Sequence, residues 1–249
     1  MNYLDFNILI IIFVSVFIGG IIKGTVGIGL SLFSVPIITF FLPPTTSMIL
    51  LCVPVLITNI IQMKIYQGIS SFRFLPMFIA LIIGILIGCN LVLKIKLSII
   101  SQIIAISVIF AAIVNLIGTN LKFVQSNLER ILTIFLGFFS GVIGGISNMY
   151  SPYILAYLIS SDLEKKSLIR TIATLYFCGS ILIFPIWIYN GLGNINDLIW
   201  SCLLLIPAIF GQKIGERVQD KISNETFKKI ILYTLLIIGI SLFIKNLYF

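Results

Sequence analysis

What most limits the folds open to this chain is the near absence of charge over long apolar runs. Eight such runs can be read, at about 7–42, 45–66, 74–94, 97–117, 130–160, 167–189, 196–213 and 226–247. One crossing of a bilayer takes roughly 20 mostly apolar residues. Only 10% of the 249 residues are charged and 59% are hydrophobic, whereas a soluble domain is about 25% charged. No soluble fold hides that much apolar surface. The expected fold class is an all-α polytopic membrane protein, with residues 1–249 forming a single transmembrane domain.

Several functional classes fall away on composition. The sequence has no histidine, so the commonest metal ligand and proton shuttle is missing. Cys52, Cys89, Cys178 and Cys202 lie in apolar runs without a CxxC pair, which argues against a disulfide framework or a zinc site. No metal and no cofactor is expected. The net charge of +8 reads as loop charge of the positive-inside kind and not as a nucleic-acid signal. "MNYLDFN" has no basic n-region, and no small-residue cleavage site follows it, so the first apolar run is expected to remain in the mature protein.

Two runs, 7–42 and 130–160, are too long for one helix and short for two full ones, and both carry glycines near the middle. They head an internal repeat. Gly20, Gly24 and Gly27 have the spacing G-x3-G-x2-G, which Gly137, Gly141 and Gly144 repeat 117 residues later. Pro36 follows the first set and Pro152 the second. "YQG" at 66–68 matches "YNG" at 189–191, and "GILIGCNLVLK" at 84–94 matches "GQKIGERVQDK" at 211–221. Repeat one is read as 7–117 and repeat two as 130–247.

Charge sorting then weighs two topologies. If each glycine-rich run crosses once, ten loop cations face five. If each enters and returns to its own side, Lys64, Arg73, Lys122, Arg130, Lys165, Lys166, Arg170, Lys213, Arg217, Lys221, Lys228 and Lys229 share one face, and Lys94, Lys96 and Lys245 lie opposite. Twelve against three is the stronger positive-inside bias. It favours two re-entrant hairpins, each followed by three crossings. An odd number of crossings inverts the second half, an arrangement common in transporters. Both topologies put the N-terminus outside.

Broken helices at membrane depth expose backbone groups, which is tolerated only inside protein or beside a wet cavity. The resuming helices are expected to start near Ile28–Ser31 and Ile146–Ser151, with their positive ends favouring an anion. Lys23 lies one turn before the first break. An intramembrane cation is costly and points to function, against a bland reading in which it snorkels to an interface. The expected substrate-binding residues are Lys23, Gly24, Thr25, Gly27, Gly29, Ser31, Gly144, Gly145, Ser147, Asn148 and Ser151. The glycines serve close helix packing equally well, and the hydroxyls can bond their own helices. Asn59 and Gln62 line a path or join helices. Tyr66, Tyr189, Trp187 and Trp200 fit interfacial belts. All eight acidic residues fall in loops or near run ends, so no carboxylate proton relay is expected at mid-membrane.

The paired "GGIIKGTVGIGLSLFSVP" and "GFFSGVIGGISNMYSP", each opening a four-run half, resemble the sulfite exporter TauE/SafE family, also called the TSUP permeases, over nearly the whole chain. The resemblance implies a multi-pass plasma-membrane permease of the bacterial inner-membrane type, with sulfite, sulfonates or related oxyanions as substrates. Transport would be facilitative or proton-linked through the substrate. Its partners would be a small anion and the lipid bilayer, with self-association into a homo-oligomer left open. Two other classes stand beside it. A membrane enzyme needs acids, histidine or an activated serine, and none is visible. A non-transporting subunit of a larger complex would show no substrate-dependent flux.

Overall fold

In hydrocarbon a backbone must bond within its own segment, and each apolar run accordingly folds as helix. The computed structural model describes residues 5–65, 74–117, 127–150, 154, 157, 158, 163, 165–218 and 224–248. The helices are α1 (Phe6–Val26), α2 (Leu30–Thr39), α3 (Pro44–Leu50), α4 (Cys52–Ile65), α5 (Leu75–Leu91), α6 (Leu97–Ile117), α7 (Asn127–Ser147), α8 (Lys165–Tyr189), α9 (Ile195–Val218) and α10 (Asn224–Tyr248). No strand occurs among the described residues. Five stretches are long and apolar enough to cross a membrane: Phe6–Val26, Pro44–Met63, Leu97–Val114, Ser167–Tyr189 and Ile195–Val218. Leu30–Thr39, Leu75–Leu91, Ile131–Ser147 and Leu235–Asn246 are shorter apolar helices.

The molecule turns apolar residues outward. Leu75, Ile79, Ile83 and Leu86 form an exposed stripe along α5, as do Ile195, Ile199, Leu203, Ile206 and Phe210 along α9. Apolar stripes of this length suit lipid and not water. Polar side chains such as Asn59, Ser107 and Ser180 are buried instead.

The run at 45–66, expected as one helix, is interrupted at Leu51. Pro54 has no N–H and its ring crowds the carbonyl four residues back, at Leu50. The nearby Val53 amide donates to Ser201 Oγ on α9 at 3.0 Å. The run at 196–213 extends as helix to Val218, through Lys213, Glu216 and Arg217. Pro185 and Pro207 lie inside helices, and Pro76 lies in the first turn of α5.

Helix α2 doubles back along α1. Gly29 lies against Ile22, Leu30 against Gly19, and Ser34 Oγ donates to the Ser15 carbonyl at 2.9 Å. Glycine sets the tightest helix pairs. Gly20 meets Ala208–Gln212 on α9, and Gly24 meets Gln212–Glu216, so α1 and α9 are parallel. Gly137 meets Met77 on α5, Gly141 meets Leu81–Ile85, and Gly145 meets Ile85–Cys89, so α5 and α7 are parallel. Gly27 touches both Ile169 at the start of α8 and Gln62 near the end of α4, while Ile49 touches Gly193 just past the end of α8. Helices α4 and α8 are therefore antiparallel. With Gly179 of α8 against Ile85 and Tyr150, α1, α4 and α9 run one way, and α5, α7 and α8 the other.

At these crossings a Cβ would run into backbone. One on Gly24 meets the Gln212 carbonyl, and one on Gly141 meets the Leu81 carbonyl. Backbone cannot step aside as a side chain can. Gly24→Leu and Gly141→Leu should each destabilise the detergent-solubilised protein by about 3 kcal/mol or more, read as a lowered melting temperature or lost monodispersity. Ile131→Leu, on the outer face at 63% exposure, should change stability by less than ~0.5 kcal/mol.

Candidate functional site

The first break is a glycine device. Gly27 caps α1 at φ 91°, its N–H donating to the Lys23 carbonyl at 2.8 Å, and Gly29 opens α2 at φ 136°. Both values lie where a Cβ is strained. The resuming helix begins at Leu30, inside the Ile28–Ser31 window that the sequence suggests.

The reversal buries Lys23, which is 3% exposed. Its Nζ donates to Asn59 Oδ1 on α4 and lies 5.7 Å from the centre of the Tyr176 ring on α8. The ring face favours a cation. Glu216 on α9 adds a Coulombic attraction and accepts from Gln212 Nε2 at 2.9 Å. Three neighbouring helices thus hold the ammonium, which points into the protein and not toward lipid.

The second break follows Ser147. Asn148 takes φ 59°, and its N–H donates to the Gly144 carbonyl at 2.7 Å. Asparagine is among the few non-glycine residues that adopt this conformation readily. Tyr150, fully buried just beyond, rests on Gly144. Its hydroxyl donates to the Tyr176 carbonyl at 2.8 Å and lies 3.2 Å from Ser180 Oγ, with ring centres of Tyr150 and Tyr176 4.2 Å apart.

The ends of α1 and α7 lie at different levels along α8, while the amide end expected to follow the second break near Ser151 lies outside the described residues. Gly27 sits against Ile169, while the Gly145 carbonyl accepts from Trp187 Nε1 at 3.1 Å. Those positions are 18 residues apart on one helix, roughly 27 Å at 1.5 Å per residue. Because α2 runs back along α1, its amide end stays at the Ile169 level. Side chains converge instead: Lys23 from one break and Tyr150 from the other both reach Tyr176, near the middle of α8.

The other expected site residues divide. Thr25 donates to the carbonyls of Ile21 and Ile22, and Ser147 to that of Ile143, so both hydroxyls are engaged on their own helices. Gly24 and Gly145 lie in the glycine crossings, and Gly144 makes room for Tyr150. Ser31 Oγ and both amide atoms of Asn148 are buried without a hydrogen-bond partner. Ser151 and Pro152, like "YQG" at 66–68, lie outside the described residues.

Trp187, expected in an interfacial belt, is fully buried, because its indole caps the open carbonyl end of α7. Tyr189, at 91% exposure, does lie on the surface. Sequence reasoning passed over Tyr176 altogether. Its only signal was a tyrosine well inside an apolar run, away from either end.

Among the described residues no group of histidine, cysteine or acidic side chains could hold a metal ion. What the cluster offers is one buried cation beside an amide, an aromatic face and a carboxylate. The family model described as sulfite exporter TauE/SafE matches residues 11–242. No curated protein and no solved structure matches. A match over nearly the whole chain, with multi-pass apolar helices beneath it, places this protein in the sulfite exporter TauE/SafE family of membrane transporters.

Proposed function

We propose that the chain is a permease for small sulfur oxyanions such as sulfite or sulfonates, and that it holds them at Lys23, Asn59 and Tyr176. The observation that carries this reading is the buried ammonium of Lys23, in the last turn before the first helix break. A cation at such a position is costly, and an anionic ligand in direct contact adds to what Asn59, the Tyr176 ring and Glu216 already offset. Gly27 and Gly29 permit the first break, and Asn148 permits the second. Ser31 and Asn148 keep polar atoms unpartnered, which suits a path for a polar solute. Transport is facilitative, or proton-linked through the substrate.

The two halves form an inverted repeat around this path. Reciprocal packing supports it: the first helix of each half crosses the third long helix of the other, α1 on α9 and α7 on α5. The first helices also run in opposite directions. With the hairpin topology, the twelve-cation face is cytoplasmic and the N-terminus lies outside, in a plasma membrane. A subunit without transport activity would have little use for an ammonium buried at a break.

Lys23→Met should lower the flux of a sulfonate or sulfite into proteoliposomes by about 10- to 100-fold, as expected for a lost charge-assisted contact, at unchanged reconstitution yield. Equal flux would remove Lys23 from the site. For topology, single cysteines at Asp5 and Arg217 in a cysteine-free background should react with an impermeant maleimide from opposite sides of intact cells. Labelling of both from one side would refute the arrangement.

A further inference from the structure

The hydrogen-bond inventory around Lys23 is incomplete in a specific way. Asn59 Oδ1 accepts from the Lys23 ammonium, which leaves Asn59 Nδ2 as the free donor of that amide. The Nδ2 atom is buried and has no partner. One turn further along α4, Gln62 is 3% exposed, its amide approaches Gly27, and its Oε1 is buried without a donor. Side chains three apart on a helix share a face, with Cβ atoms about 5–6 Å apart. The Gly27 N–H cannot serve Gln62, because it is engaged by the Lys23 carbonyl.

The cluster therefore presents one positive charge, one unmet donor and one unmet acceptor. Buried polar groups are seldom left unmet, so these three features describe a complementary solute. The charge and the Asn59 donor call for anionic oxygen. The Gln62 acceptor calls for something a bare oxyanion lacks, an O–H. Lys23 is the buried cation of this cluster, and the Glu216 carboxylate already offsets part of its field. A second negative charge on the ligand would go uncompensated.

We infer that the site selects a singly charged oxyanion carrying its own hydroxyl, with the anionic group on Lys23 and Asn59 and the O–H donated to Gln62. The inference rests on the permease reading above and narrows its substrate class. A protonated inorganic oxyanion and a hydroxyalkyl sulfonate share this chemistry.

Two probe pairs at one fixed pH test it, with the full-length protein in proteoliposomes. 2-Hydroxyethanesulfonate and ethanesulfonate differ only in the hydroxyl. Ethanesulfonate and sulfate differ by one charge and by an ethyl group in place of one oxygen. The wild-type protein should favour 2-hydroxyethanesulfonate over ethanesulfonate by about tenfold, the worth of one buried hydrogen bond, and should favour ethanesulfonate over sulfate by a similar factor or more. Gln62→Leu should bring the hydroxyl preference to about onefold. A wild-type hydroxyl ratio near one overturns the inference without need of any variant, as does a ratio that survives in Gln62→Leu, or sulfate carried as well as ethanesulfonate. Each of those outcomes leaves the permease reading standing, since anions still cross. Absence of flux for all three anions would instead sink both.

Discussion

A helix that stops inside a membrane must have its open end covered by protein, because lipid offers nothing to bond it. The rest of this structure follows from how that cover is built. At the first break, Gly27 folds its own amide back onto the Lys23 carbonyl. At the second, the Asn148 amide closes on Gly144 while the Trp187 indole takes the Gly145 carbonyl. The parallel glycine crossings, α1 on α9 and α5 on α7, bring neighbouring backbone close enough to seal both helices. Between hydrocarbon-facing helices there is little hydrophobic drive, so contact of this closeness supplies much of the association.

Covering the breaks also creates the chemistry. Lys23 sits four residues before Gly27, so the turn that ends α1 fixes where the ammonium goes. It turns inward, toward Asn59 and Tyr176, and not outward to an interface. Tyr176 is touched from both sides, by the cation of one break and by the tyrosine that follows the other. The two breaks are thereby connected through one aromatic ring, although their backbones stand far apart. The halves are alike in plan and unlike in charge: a lysine marks one break, and an uncharged asparagine and tyrosine mark the other.

Much of this was legible in the sequence. The apolar runs gave the helices, and the G-x3-G spacing marked the helix faces that meet. Gly27 and Gly29 marked the first break because few other residues adopt positive φ. Lys23 stood out because a cation amid apolar residues is expensive. The interruption near Leu51 was harder to see, since Pro54 permits either a kink or a stop. Trp187 misled for a related reason: a tryptophan near a run's end suits an interface, and only the position of α7 shows that it caps a carbonyl.

The sequence by itself determined the class of the molecule, the positions of its breaks and the residue that carries charge into it. Those properties depend on local chemistry: hydropathy over a window, the conformational freedom of glycine, the cost of burying an ammonium. Tertiary structure alone decided what that charge would face. Asn59, Gln62, Tyr176 and Glu216 come from three other helices, and their meeting depends on which crossings the glycines permit. Nothing in the spacing of one run fixes the level at which a distant helix will lie. For the same reason the breaks could be located in the sequence but not placed relative to one another, and only packing set them at opposite ends of α8 with their side chains directed to its middle.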